Sequence, residues 1–175
     1  MNRCTLFCSL LLTLLPGTGQ ATTVQTSAAA QPVRVELVSL LVGQDAKGQE
    51  TLTPTTDAAR PRPGDLLSWK ATAINTLKNS VSNLALTIPI PATTTYLNGS
   101  ATLKIGGAVV KPSFSLDGKT FAPAPLKRKV SVTKNGLSTT QEVVVPPNEY
   151  RAVRWTLPTL AAGSQVQAEV RTSVR

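Results

Sequence analysis

Leu67-Ser68-Trp69-Lys70-Ala71-Thr72-Ala73 is the stretch that decides the fold. Leu67, Trp69, Ala71 and Ala73 fall on one side of an extended chain, and Ser68, Lys70 and Thr72 on the other. Side chains of a strand alternate between faces, so this spacing predicts a β-strand with one face buried and one in water. The same period continues outward. Upstream, Val33, Val35 and Leu37 alternate with Arg34, Glu36 and Val38, and a polar loop is predicted over residues 43–60. Downstream, Leu84, Leu86 and Ile88 alternate with Asn83, Ala85 and Thr87, until Pro89 and Pro91 end the run. Tyr96-Leu97 and residues 103–110 read as short strands, the second broken at Gly106-Gly107. Asp117-Gly118, between Phe114 and Phe121, predicts a two-residue hairpin turn. Asn135-Gly136 predicts another, joining Val130-Ser131-Val132 to Val143-Val144-Val145. Val153, Trp155 and Leu157 alternate with Arg154 and Thr156. In the last run, residues 164–174, Val166, Ala168 and Val170 point inward and Gln165, Gln167 and Glu169 outward.

Prolines recur every few residues from Pro61 onward, which excludes a long helix there. Short alternating strands separated by turn signals predict an all-β, immunoglobulin-like antiparallel β-sandwich. Trp69 and Trp155 each lie on an apolar face and are expected in the core rather than in a stacking site.

The first residues have a different character. Arg3 precedes an apolar run rich in leucine from Thr5 to Leu15, Pro16-Gly17 breaks it, and Gly19-Gln20-Ala21 supplies small residues for cleavage. Residues 1–21 are therefore expected to be a signal peptide, with Ala28-Ala29-Ala30 as an alternative cleavage site. The run is too short for a transmembrane helix. Cys8 lies inside it, too early for a lipoprotein. Residues 22–31 are expected to be a flexible linker and residues 32–175 the sandwich domain. No second long apolar run follows, so the mature chain is expected to hold no membrane span. The expected destination is the periplasm, the cell surface or the extracellular space.

Cys4 and Cys8 leave with that leader, and the chain has no histidine. The mature domain thus lacks the commonest transition-metal ligands, any disulfide, and the usual nucleophile and base of hydrolytic catalysis. A serine nucleophile needs an activating base, and no Ser-x-x-Lys stretch stands in a convincing context. The acids Glu36, Asp45, Glu50, Asp57, Asp65, Asp117, Glu142, Glu149 and Glu169 are scattered, with no calcium loop and no marked glycosidase pair. No catalytic residue, metal site or cofactor is expected. An exported domain without cysteine is more typical of bacteria than of animals, so the sequon Asn98-Gly99-Ser100 is read as chance.

Loss of Arg3 leaves 17 basic and 9 acidic side chains, a net +8. That charge serves solubility or an acidic partner. Nucleic acid is not expected, since the basic residues lack interleaved aromatics and the chain is exported. Lys127-Arg128-Lys129 is the sharpest local feature. Two readings stay open for it: a polyanion-binding site for acidic polysaccharide, and a guard against edge-to-edge strand pairing.

Two segments carry a family resemblance. One runs from Pro63-Gly64-Asp65 through Trp69 and Asn75-Thr76, then residues 81–91, to Tyr96-Leu97-Asn98-Gly99-Ser100-Ala101. The other is Val153-Arg154-Trp155-Thr156-Leu157-Pro158-Thr159-Leu160-Ala161-Ala162-Gly163-Ser164. Together they resemble the bacterial surface-protein repeat known as domain of unknown function eleven, over most of the chain from Val33. The style of turns and linkers also resembles single-domain exported proteins of the Deinococcus type. The resemblance implies an immunoglobulin-type sandwich and a structural or adhesive role at the cell surface. One copy, with no anchor expected after it, departs from the tandem setting of that family. Residues 115–121 resemble the Asp-box hairpin of sialidases, with one residue fewer and Phe121 for tryptophan; a plain hairpin is expected. The expected function is a non-catalytic module working by protein–protein contact with an envelope protein. The alternative is the polyanion-binding module.

Overall fold

A computed structural model describes residues 33–134 and 137–175. The expected signal peptide and linker, and the Asn135-Gly136 turn, lie outside the described residues. The chain forms β1 (Val33–Gln44), β2 (Glu50–Pro54), β3 (Leu66–Asn75), β4 (Val81–Pro89), β5 (Thr94–Tyr96) and β6 (Thr102–Ile105). Then follow β7 (Ala108–Val109), β8 (Ser113–Ser115), β9 (Lys127–Lys134) and β10 (Leu137–Val144). A 3-10 turn (Pro147–Glu149) leads into β11 (Ala152–Leu160) and β12 (Gln165–Val174).

The fold is an all-β antiparallel sandwich. The larger sheet runs β2-β1-β3-β12, and the far edge of β12 takes β5 and β6, with β7 folded back on β6. The smaller sheet is β4-β11-β8. Leu86, Ile88, Val153, Trp155 and Leu157 from the small sheet form one core cluster with Ala71, Ala73, Val166, Ala168 and Val170 from the large one. These are the inward positions that the alternation predicts. Tyr96, Phe114 and Tyr150 add an aromatic cluster, with ring centroids 4.9–6.0 Å apart. Trp155 is fully buried. Trp69 is only half-buried, and its indole N–H donates to the Thr172 hydroxyl at 2.9 Å.

The motif residues have structural work. Gly64 takes φ +92°, a left-handed value that suits glycine, in the turn before β3. Asn75 is fully buried, and its amide donates to the carbonyls of Asn79, Leu160 and Ala161 at 2.9, 3.0 and 3.0 Å. The Ser100 hydroxyl donates to the Arg171 carbonyl at 3.1 Å and accepts the Arg171 N–H at 3.0 Å, tying the sequon-like loop to β12.

Three expectations need correction. The polar stretch 43–60 contains a strand, β2, paired with the end of β1. Its Glu50-Thr51-Leu52-Thr53-Pro54 sequence is exposed apart from half-buried Leu52, so it shows no apolar period. Asp117-Gly118 does not make a two-residue turn. Phe114 bridges to Ala122, and the Asp117 carboxylate gathers the loop between them, accepting the N–H groups of Lys119 and Thr120 at 2.8 Å each. Finally, Val35 and Leu37 remain 53% and 44% exposed although they lie on the inward face. β1 pairs outside β3 in the large sheet, and the three-stranded small sheet leaves them uncovered.

Candidate contact surface

β9 and β10 pair with each other from Lys127↔Val144 to Lys134↔Leu137 and join neither sheet. They form a two-stranded ribbon whose described residues are exposed, apart from half-buried Val130. Leu126 and Val145 anchor its base in the core, and the Val145 N–H donates to the Leu126 carbonyl at 2.8 Å. The Leu126 N–H donates to the Tyr150 hydroxyl at 3.2 Å, so the aromatic cluster pins the ribbon. An isolated two-stranded hairpin is marginal in water. This one keeps Val132, Val143 and Val144 at 40%, 38% and 56% exposure.

Register assigns the faces. Lys127, Lys129, Ser131 and Thr133 share one face with Val144, Glu142, Thr140 and Ser138. Arg128, Val130 and Val132 share the other with Val143, Gln141 and Thr139. The basic triplet is therefore split: Lys127 and Lys129 lie on one face and Arg128 on the opposite one. Two of its charges already have carboxylates, since Lys127 meets Glu142 at 3.0 Å and Arg128 meets Glu149 at 2.6 Å.

All nine Asp and Glu side chains have a partner. Glu36 and Asp57 pair with Arg34 and Arg60, and Glu142 and Glu149 with the ribbon cations. Glu50 and Glu169 flank Arg171, and Glu169 also accepts the Ser68 hydroxyl at 2.8 Å. The Arg171 guanidinium holds the Glu50 carboxyl below its usual range through a forked contact at 2.7 Å. Asp45, Asp65 and Asp117 accept backbone N–H groups in turns. A groove of about 630 Å³ lies beside β6 and β12 and has one carboxylate in its lining, the already paired Glu169. Among the described residues no three His, Cys, Asp or Glu side chains cluster as metal ligands. No helix there is long and apolar enough to cross a membrane.

The Asp117 loop carries a pH signature. The N–H groups of Lys119 and Thr120, then the Ser115 hydroxyl, hold its carboxyl far below the ordinary range. Phe121, which closes the loop, lies under the Arg154 guanidinium at 3.6 Å. A depressed folded pKa contributes stability that is complete above the unfolded value and lost as pH falls. Asp117→Ala should therefore unfold at lower urea than the native chain at pH 6. The gap should narrow below about pH 4, where the unfolded carboxyl takes up its proton. Urea midpoints across that range check this, and a constant gap would refute the electrostatic origin.

Searches of protein-family models, of curated proteins and of solved structures gave no match to this chain.

Proposed function

We propose that this protein is a non-catalytic, exported cell-envelope or extracellular module that works by protein–protein contact, with the β9–β10 ribbon as its contact element. The ribbon carries the reading. It stands outside both sheets, with free backbone edges among the described residues and exposed valines on both faces. Exposed strand edges suit strand addition, in which main-chain hydrogen bonds supply affinity and side chains supply selectivity. The leader-like start and the resemblance to the surface-protein repeat support the destination and the adhesive role. The absence of histidine from the sequence and the lack of any unpaired, clustered carboxylates among the described residues favour binding over catalysis.

The polyanion reading has less support, because Lys127-Arg128-Lys129 is split between faces and two of the three cations are neutralised locally. Pull-down of the tagged protein from envelope extract at low and high salt tests the proposal. The expected result is one protein partner retained at high salt by the native chain and lost by the ribbon variant Val132→Lys/Val143→Lys. Capture of anionic polymer alone, released by salt, would instead establish the charge reading. Equal capture by native and variant chains would exclude the ribbon.

A further inference from the structure

A second open edge lies on β1. β2 covers it only from Leu40 to Gln44, and between Val33 and Val38 no described residue pairs with it. The Ser39 carbonyl accepts the Thr55 N–H on the β2 side at 3.1 Å. By strand alternation, Val33, Val35 and Leu37 turn both N–H and C=O out of that same edge. Their side chains share one face, where Val35 and Leu37 are exposed. Arg34 and Glu36 lie on the opposite face and pair with each other.

We propose that this edge pairs with the same edge of a second copy, antiparallel and centred on Val35. In that register Val35 faces the second copy's Val35, and Val33 faces its Leu37. The outward N–H and C=O groups of these residues then meet as hydrogen-bonded pairs. Arg34 falls opposite the second copy's Glu36 in the closer, non-hydrogen-bonded position, twice by symmetry. Opposite charges there stabilise a strand pair and like charges destabilise it. Centring on Arg34 or on Glu36 keeps the ladder but sets like charges face to face. A shift to an odd register places outward groups opposite inward ones. Only the register centred on Val35 pairs all three outward residues with one another, and it also sets opposite charges face to face. The ladder stops at Ser39, whose carbonyl is already taken by Thr55. Val33, Val35 and Leu37 from both copies form one apolar row. The contact is isologous, so it closes on itself and consumes an edge that could otherwise propagate. It is separate from the ribbon, so its failure leaves the proposed function standing.

Sedimentation equilibrium over a concentration series tests this on the natural protein, with circular dichroism to confirm folding of the variants. The native chain is expected to dimerise. Glu36→Arg should weaken dimerisation on the order of thirtyfold, by setting Arg34 against arginine twice. The double exchange Arg34→Glu/Glu36→Arg rebuilds the same pairs in reverse and should return the affinity to within about threefold of native. A native chain that stays monomeric overturns the proposal. So does a Glu36→Arg variant that associates as tightly as native, or a double exchange that stays as weak as the single one.

Discussion

Trp155→Ala is expected to lower stability by about 4 kcal/mol, within the range for deleting a large buried ring. Trp155 sits in the middle strand of the small sheet, opposite Leu86 of β4, and is wholly buried. Its ring packs in one cluster with Ala71, Ala73, Val166, Ala168 and Val170 of the large sheet, so its removal leaves a cavity between the two sheets. For a domain of this size the loss should appear as a fall in Tm of roughly 15 °C by scanning calorimetry. Trp155→Phe isolates one element of that cost. The indole N–H is buried without an acceptor, and phenylalanine removes this unpaired donor along with part of the ring. The phenylalanine variant should therefore lose less than half as much as the alanine one. Near-native stability of Trp155→Ala would contradict its place at the centre of the core.

Asn75→Ala should cost about 3 kcal/mol, because three buried or half-buried carbonyls lose their donor in one step. Its carbonyl oxygen also accepts the Leu77 N–H at 3.1 Å, which shapes the turn after β3. Since Leu160 ends β11 and Ala161 follows it, the amide joins the end of the large sheet to the end of the small one. Asn75→Asp is the sharper test. It keeps the acceptor but turns a carboxylate towards three carbonyl oxygens. That variant should be less stable than alanine at pH 7 and recover on acidification, because burial raises its pKa and the protonated form can donate again. Urea midpoints for both variants at neutral and acid pH check this. An aspartate variant that is more stable than alanine at pH 7 would refute the clamp.

Alternation was readable wherever one face of a strand meets the core. Val153 to Leu157 and Val166 to Val170 point as their spacing predicts, and so do Leu67, Ala71 and Ala73. Trp69, however, is only half-buried, and Ser68, on the face expected in water, is wholly buried. Alternation failed where burial depends on something outside the strand. β2 has no apolar period because neither of its faces is fully covered, and its pairing comes from the backbone of β1. Val35 and Leu37 carry the right period, yet their exposure is set by the width of the opposite sheet, which no local window contains. The Asp117-Gly118 dipeptide matched a turn rule, but the carboxylate found more donors in a longer loop than a tight hairpin offers. Lys127-Arg128-Lys129 looked like a patch because its charges are consecutive. A strand sends consecutive residues to opposite faces, and the neutralising Glu142 and Glu149 arrive from 15 and 21 positions away.

The pairing of β3 with β12 sets the order of events in biosynthesis. These neighbours join residues 66–74 to residues 165–173, so the middle of the large sheet cannot close until β12 has been made. Such distant partners bring high contact order and slow folding. A chain that stays open until β12 emerges can still be threaded through a membrane channel. Once the last strand is in place, the sheet is locked from its centre.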